Sequence, residues 1–252
     1  MRLASLYRYP VKGLSPEPLE FADLEADGYF PGDRLFAAEN GPSGFDPEKP
    51  EHQPKVKFLM LMKNAALAGL STRYDDASGC LTISQVGKEA VRGDLRRPDG
   101  RAAIEEFLTV FLGAEEIRGP VRLLAAPAGF RFTDSKSGFV SLVNLASVAE
   151  IEKAAGAKID PLRFRANIYL DGLDAWAETG LVGRTLAIGD ARLEILKMTD
   201  RCAATGVAPG VGARDMDLVQ TLRMTFNHID CGIYARIVQA GRVTAGDEAA
   251  VL

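Results

Sequence analysis

One short segment combines a cysteine with a cationic neighbour and a turn rich in small residues. "MTDRCAATGVAPG", residues 198–210, places Cys202 directly after Arg201 and shortly before Thr205. A thiolate is both a nucleophile and a metal ligand, and a neighbouring cation favours its formation. A half-buried structural thiol also fits, because free cysteines often act as small apolar residues. The segment therefore predicts thiol chemistry at Cys202 and leaves its kind open.

Other polar residues offer alternative chemistry. His228 and Cys231 form an H-x-x-C unit that Cys202 could extend to three metal ligands, whereas structural zinc normally takes four. A Cys202–His228 nucleophilic pair is a second alternative, although no sequence signature accompanies it. Glu178 and Asp200 are candidate acid–base groups without a paired spacing. Cys231 precedes an apolar strand pattern, so we expect it in the core.

A second chemically distinctive segment is "RFRAN", residues 163–167. As a strand it would place Arg163, Arg165 and Asn167 on one face, because side chains alternate along a strand. Two guanidinium groups beside an amide suit an anionic ligand, since arginine binds phosphate with a rigid two-pronged fork. The alternative is a solvated face balanced by nearby aspartates.

Strand patterns dominate the elements that must position these residues. Period-two alternation or short apolar runs predict strands at residues 2–9, 32–40, 55–61, 78–87, 163–170, 191–198, 232–241 and 242–252. Three helices are predicted: residues 101–113, a second beginning at a Ser147/Glu150 capping box and ending at Gly156, and a short one at 215–223. The βαβα rhythm of a parallel sheet is missing. We therefore expect a β-barrel-rich α+β protein, divided near residues 115–125.

Composition limits the functional class. The 252 residues carry a formal net charge of −4, which argues against nonspecific nucleic-acid binding. No apolar run reaches the ~18 residues of a membrane span, and the first residues lack a signal-peptide pattern. Three cysteines do not make a disulfide framework. We expect a cytoplasmic protein with reduced thiols and no nucleic-acid or membrane partner.

Five segments in this order, "YPVKG", "GDRLF", "FTDS", "RFRAN" and "RCAATGVAP", resemble the MOSC (molybdenum cofactor sulfurase C-terminal) family. The resemblance is to the branch with an N-terminal β-barrel domain, to which amidoxime-reducing enzymes belong. It implies an N-terminal MOSC-type β-barrel domain over residues 1–118 and a MOSC domain with few helices over 119–252.

The resemblance also implies a molybdenum–molybdopterin cofactor. In the family's enzymes a cysteine matching Cys202 ligates molybdenum directly, beside the dithiolene of the pterin. The other implied site residues are Lys12, Arg34, Ser135, Arg165, Asn167 and Arg201 for cofactor binding, with Asp134 at the mouth of the active site as a catalytic residue. Pyridoxal phosphate binding is a further expectation at the level of the family.

The implied reaction is reduction of N–O bonds in small N-hydroxylated compounds. The chain lacks the four cysteines of an iron–sulfur cluster, so electrons would come from a partner reductase or electron carrier. One alternative is a sulfur-carrier module with a persulfide on Cys202. Another is a non-catalytic MOSC protein, because Gly206 and Ala208 replace the threonine and aspartate of the family's RCxxTTVDP motif.

Overall fold

Strands make up most of the regular elements in the computed structural model, which describes residues 1–137 and 139–252. Its helices are α1 (Pro98–Leu112), α2 (Leu145–Ala155) and α3 (Leu218–Phe226). Its strands are β1 (Arg2–Arg8), β2 (Glu17–Leu19), β3 (Phe21–Leu24), β4 (Phe36–Asn40), β5 (Leu70–Asp75), β6 (Cys80–Gln85), β7 (Lys88–Asp94), β8 (Val121–Ala125), β9 (Val140–Asn144), β10 (Ile168–Asp171), β11 (Thr185–Ile188), β12 (Ala191–Asp200), β13 (Asp230–Gln239), β14 (Gly241–Thr244) and β15 (Ala249–Val251).

The largest sheet has eight strands in the order β15-β11-β12-β13-β9-β10-β1-β2 and curls into a half-barrel. Its pairs are antiparallel except for β9 with β10. The alternating apolar residues of its long strands, such as Leu193 and Ile195 of β12 and Ile233 and Ala235 of β13, are buried in one core. The predicted β-barrel-rich α+β class is confirmed.

Strands near the start of the chain pair with strands from its second half. β1 pairs with β10, and β3 forms a separate antiparallel pair with β14. Strands from the first 24 residues are therefore bonded to strands from the last half of the chain. The division into residues 1–118 and 119–252 stays a prediction.

A second core lies in the N-terminal half. It is enclosed by the β4–β8 pair, the three-stranded sheet β5-β6-β7 and helix α1. Ile104, Leu108 and Leu112 recur along one face of α1 and are buried there. Pro98 occupies the first helical turn, where it costs no hydrogen bond, and the helix ends at Gly113. The helix predicted at residues 101–113 is confirmed.

The start of α2 corrects one prediction. The helix begins at Leu145, and the side chain of Asn144 accepts a hydrogen bond from the Ala146 N–H. Ser147, predicted as the capping residue, instead donates its hydroxyl to Glu178 at 2.8 Å. A short polar side chain just before the first turn is the better cap, because it reaches the free N–H groups there. The helix ends at Gly156 as predicted.

Helix α3 follows Asp217, whose carboxylate accepts a hydrogen bond from the Gln220 N–H at 2.9 Å. It overlaps the short helix predicted at residues 215–223. Within residues 1–137 and 139–252, no helix has the length and apolar character needed to cross a bilayer.

Three predicted strands are wrong in part. Residues 55–61 form a 3-10 turn, Lys55–Lys57, followed by a single bridge between Phe58 and Glu39. Residues 163–170 begin as a 3-10 turn, Pro161–Phe164, and become a strand only at Ile168. Residues 242–252 are not one strand, because a turn separates β14 from β15. In each case a local turn interrupts an apolar pattern that also fits a strand.

Candidate functional site

A cavity of about 250 Å³ lies where the end of β12 meets the N-terminal segments that follow β1. All eight residues predicted for the site line it: Lys12, Arg34, Asp134, Ser135, Arg165, Asn167, Arg201 and Cys202. They come from segments far apart in the chain, and the fold brings them to one place. Their individual roles stay predictions.

The cavity is strongly cationic although the chain is acidic. The described lining residues include seven lysines and arginines and three aspartates, leaving four excess positive charges. The whole chain has a formal net charge of −4. Charge of one sign concentrated in a cleft attracts ligands of the opposite sign. The cavity is therefore suited to an anionic ligand.

Lys12 lies at the inner wall of this cavity, in the turn after β1. Its side chain is buried, donates to the Phe132 carbonyl at 2.9 Å and forms an ion pair with Asp134. Burial lowers the pKa of Lys12, and the neighbouring carboxylate of Asp134 partly offsets this. Desolvation opposes the charge on Asp134, yet Lys12, Lys55 and Arg34 together hold the pKa of that carboxyl at about 2. Asp134 is therefore charged at neutral pH, and its carboxylate favours the charged form of Lys12.

Arg34 and Arg165 form the most concentrated positive charge in the cavity. Their Cζ atoms lie 4.5 and 4.3 Å from the ring centroid of the fully buried Tyr9. Arg34 also donates to the Arg165 carbonyl at 3.3 Å. Both residues have left-handed backbone conformations, with φ of 48° and 52°. Two guanidinium groups therefore lie against one aromatic ring, and both residues have the kind of unusual backbone conformation that clusters at binding sites.

Asp33 compensates only one of these two arginines. Its carboxylate accepts two hydrogen bonds from Arg34, at 2.6 and 2.5 Å, and one from the Tyr9 N–H at 2.8 Å. Burial acts against the charge of Arg34, but Asp33 raises its pKa above the usual value. Burial lowers the pKa of Arg165, which has no carboxylate partner in the described part of the chain. Asp33 was not among the residues predicted from the sequence.

The guanidinium of Arg201 is hydrogen-bonded to backbone carbonyls. It donates to Phe164 O at 2.8 Å and to Cys231 O at 2.6 Å. It therefore ties the end of β12 to β13 and to the 3-10 turn Pro161–Phe164. Arg201 lines the cavity, and its cofactor-binding role stays a prediction.

Asn167 and Ser135 are also held by neighbouring groups. The Asn167 side chain accepts from the Ser141 N–H and hydroxyl, each at 3.1 Å, and donates to the Tyr7 carbonyl at 3.2 Å. The Ser135 hydroxyl donates to the Ser137 carbonyl. Both residues border the cavity while fixing the backbone around it.

The predicted alternation in "RFRAN" is wrong, because the 3-10 turn Pro161–Phe164 and the left-handed backbone conformation of Arg165 replace an extended strand. Arg163 instead makes a two-pronged ion pair with Asp215, at 2.8 and 2.7 Å, and is 6% exposed. This pair anchors the segment that follows Cys202. Arg163 therefore shapes the cavity and has its charge compensated.

Cys202 lies two residues after the end of β12 at Asp200, directly before the 3-10 turn Ala203–Gly206. Its carbonyl accepts from the Thr205 N–H at 3.1 Å and from the Thr205 hydroxyl at 3.0 Å. The thiol is half-buried and lines the cavity. Lys55, which the sequence analysis placed in a strand, lines the same end. The only signal for it was its charge.

The alternative metal site is not formed. Over residues 1–137 and 139–252, no group of three His, Cys, Asp or Glu residues could hold a metal ion. His228 packs edge-on against Trp176 and accepts from the Asp230 N–H at 3.1 Å. Cys231 is fully buried, and burial raises the pKa of its thiol to about 12. Neither residue lines the cavity, so the Cys202–His228 pair is not formed either.

Glu178, the other acid–base candidate, is a buried structural residue. It accepts from Asn144 at 2.9 Å and from Ser147 at 2.8 Å. Asp200 is exposed beside the cavity and lines it.

Comparison with known proteins identifies the family of the chain. The MOSC domain model matches residues 130–250, and the MOSC N-terminal beta barrel domain model matches residues 1–115. Together the two models span nearly the whole chain. The chain belongs to the MOSC family.

Individual relatives of this MOSC chain are distant. Mitochondrial amidoxime-reducing component 1 from Homo sapiens is 26% identical over 230 residues, covering 83% of this chain and 67% of that protein. Among solved structures, the YUAD protein from Bacillus subtilis is 16% identical, with a TM-score of 0.48 over 99% of this chain and 94% of that one. YiiM from Geobacillus stearothermophilus is also 16% identical, with a TM-score of 0.39 over 52% of this chain and 67% of that one.

The departures from the MOSC cysteine motif lie outside the cavity lining. A Cβ atom on Gly206 would meet the Met216 carbonyl at 2.2 Å, so a neighbouring backbone segment occupies the space of the usual threonine side chain. Ala208 is buried, and its N–H donates to Ala213 O at 2.9 Å. Neither residue lines the cavity. These departures therefore leave the walls around Cys202 intact.

Proposed function

We propose that this MOSC protein is a molybdenum-cofactor-dependent oxidoreductase that reduces N–O bonds in small N-hydroxylated compounds. The observation that carries the proposal is the half-buried Cys202 thiol in a cavity whose lysines and arginines outnumber its carboxylates, even with the charge of Arg163 compensated by Asp215. The similarity to an amidoxime-reducing component supports the substrate class. Electrons would come from a partner reductase or an electron carrier.

The residues present fit a molybdopterin cofactor. Thiolate is a soft ligand of the kind that transition metals with sulfur coordination accept, and Cys202 supplies it. Arginine and lysine bind phosphate, and Arg165 brings a guanidinium without a carboxylate partner among the described residues. Thr199 also lines the cavity, and its buried hydroxyl has no hydrogen-bond partner within residues 1–137 and 139–252. An unpaired cation and an unpaired hydroxyl are both costly in a buried site, and a polar anionic ligand would satisfy them.

The chain's own residues would divide the work. Cys202 would ligate the metal, while Lys12, Arg34 and Arg165 would bind the phosphate. Asp33 and Asp134 orient Arg34 and Lys12 through ion pairs. Arg201 and Asn167 hold the surrounding backbone in place. When bound, the cofactor would supply the two-electron redox chemistry, and the protein would position it.

Cofactor content is the first test. We would purify the wild type, Cys202→Ser and the control Cys80→Ser from a host that makes the cofactor, then measure molybdenum by mass spectrometry and released pterin by fluorescence. Cys80 lies in β6, away from the cavity. We expect molybdenum and pterin in the wild type and in Cys80→Ser. We expect Cys202→Ser to lose most of the metal and to keep pterin, because its cationic residues are unchanged.

Absence of both molybdenum and pterin from the wild type would contradict the proposal. So would retention of pyridoxal phosphate in place of pterin. A mass increase of one sulfur atom on Cys202, without pterin, would instead identify the sulfur-carrier function. Turnover is tested separately with benzamidoxime and a chemical reductant. A loaded protein without turnover would favour the non-catalytic alternative.

A further inference from the structure

Lys55 occupies a position in the cavity that differs from those of the other cations. It begins the 3-10 turn Lys55–Lys57 and is half-buried at the Cys202 end. Lys12 and Arg34 have carboxylate partners, whereas no carboxylate lies within ion-pair distance of Lys55 over residues 1–137 and 139–252. No bonded carboxylate therefore compensates the charge of Lys55 among the described residues, and its side chain faces Cys202.

The charged and titratable groups that face Lys55 are Cys202, Asp134 and Asp200. Asp134 is already engaged by Lys12. Asp200 is exposed to solvent, where its field is weakened. The remaining positive charge of Lys55 thus acts where a small molecule would approach the sulfur.

The cavity's cations fall into two groups with different tasks. Lys12, Arg34 and Arg165 are close enough to influence one another's ionisation, and the two arginines share the Tyr9 ring. Together with Asp33 they suit a phosphate group. Lys55 belongs neither to the pair of arginines on the Tyr9 ring nor to the Lys12–Asp134 ion pair, and its charge acts on the Cys202 thiol in the same cavity.

We propose that Lys55 is a specificity-determining residue that attracts small anionic molecules to the Cys202 end of the cavity. This inference rests on the proposed function. The preferred N-hydroxylated substrates therefore carry a carboxylate or a comparable anionic group. The charge of Lys55 steers and holds this group beside the reacting centre.

The inference can be tested without the cofactor. We would make the full chain in a host that lacks pterin synthesis, in a Cys80→Ser background, and alkylate Cys202 with iodoacetate or iodoacetamide. In both reactions the thiolate sulfur displaces iodide and forms a thioether. Because both reagents need the thiolate, the ratio of the two rate constants at one pH cancels the thiolate fraction. The ratio therefore reports attraction of the anionic reagent. Cys231 does not interfere, because it is fully buried.

The variants are Lys55→Met, Lys55→Arg and the matched control Lys57→Met. Lys57 lies in the same turn, is exposed and does not line the cavity. A unit charge a few ångströms away in a wet site changes the rate by roughly fivefold. We expect the iodoacetate-to-iodoacetamide ratio to fall about fivefold in Lys55→Met. It should stay near wild type in Lys55→Arg and in Lys57→Met, and high salt should lower the wild-type ratio.

An unchanged ratio in Lys55→Met, or an equal fall in Lys57→Met, would overturn the inference. In the loaded enzyme, we expect Lys55→Met to raise KM for 4-carboxybenzamidoxime about fivefold more than for neutral benzamidoxime. Equal effects on both substrates would also count against it. If neither amidoxime is reduced by the wild type, the proposed function fails, while the alkylation ratio still decides the role of Lys55.

Discussion

Substituting Asp33 by asparagine should lower stability and strengthen anion binding at the same time. Asp33 is 3% exposed, and its carboxylate supplies the compensating charge for Arg34, whose side chain is 17% exposed. Asparagine has nearly the same shape and can still accept a hydrogen bond from the Tyr9 N–H. The substitution therefore removes mainly the charge, leaving Arg34 and Arg165 around the same aromatic ring without a carboxylate bonded to either.

The expected magnitude follows from this geometry. Removing one partner of a buried ion pair typically costs about 3–5 kcal/mol, because the remaining charge is left uncompensated. Arg34 is slightly exposed and keeps its hydrogen bond to the Arg165 carbonyl, so the low end of the range applies. We expect Asp33→Asn to lose about 3 kcal/mol of unfolding free energy, or about 6–12 °C in Tm for a chain of this size.

Urea denaturation of the cofactor-free protein measures this loss, with Asp23→Asn as the control. Asp23 forms an ion pair with Arg242 in which both side chains are more than half exposed, so its loss should have little effect. Adding Arg34→Gln to Asp33→Asn should recover part of the loss, because it removes the uncompensated charge. Inorganic phosphate should stabilise Asp33→Asn more than the wild type. A loss below about 1 kcal/mol, or equal to that of Asp23→Asn, would refute this account of the cation cluster.

Three further outcomes are expected. Gly206→Thr, which restores the family's residue, should lose about 1–3 kcal/mol of unfolding free energy in urea denaturation, because its Cβ would meet a backbone carbonyl at 2.2 Å. Its rate of amidoxime reduction should not rise. A more active and equally stable variant would contradict this expectation. Asp134→Asn should lower Tm at pH 7, and the difference in Tm from the wild type should vanish as the pH falls from about 4 to about 2. The reason is that a carboxyl with a depressed pKa stabilises the folded state only above that window. A constant difference in Tm across this window would argue against the ion pair. Glu178→Ala should lose roughly 2–4 kcal/mol of unfolding free energy, because it removes two buried hydrogen bonds. Its cofactor content should stay normal, because Glu178 does not line the cavity. Normal stability with lost activity would contradict the structural role of Glu178.

Elements with a clear period could be predicted from the sequence. The pattern of Ile104, Leu108 and Leu112 identified α1, and alternation identified β6 and β12. The same reasoning failed at "RFRAN", where Asp160 accepts from the Leu162 N–H and starts a 3-10 turn ahead of the strand. Alternating letters do not reveal that the backbone at Arg165 adopts a positive φ, because that depends on contacts made elsewhere in the fold.

The site was predictable only in part for a related reason. Motif resemblance selected eight residues that line one cavity, including Cys202 and Lys12. Asp33 and Lys55 were missed because each looks like an ordinary surface charge until its neighbours are known. Arg201 and Asn167 were identified, but the sequence could not show that backbone groups occupy most of their hydrogen-bonding capacity. Which distant groups bond to one another depends on tertiary packing, so it could not be predicted from the sequence.

The pairing of β3 with β14 has a consequence for how the protein is made. Asp23 and Arg242, bonded across this pair, are separated by 219 positions in the chain. Contacts between such distant residues form slowly, and β3 stays unpaired until β14 has been synthesised. Lys12 and Arg34 precede Cys202 by more than half of the printed sequence. The walls of the cavity therefore cannot close around a ligand until the segment that carries Cys202 has been synthesised and has folded.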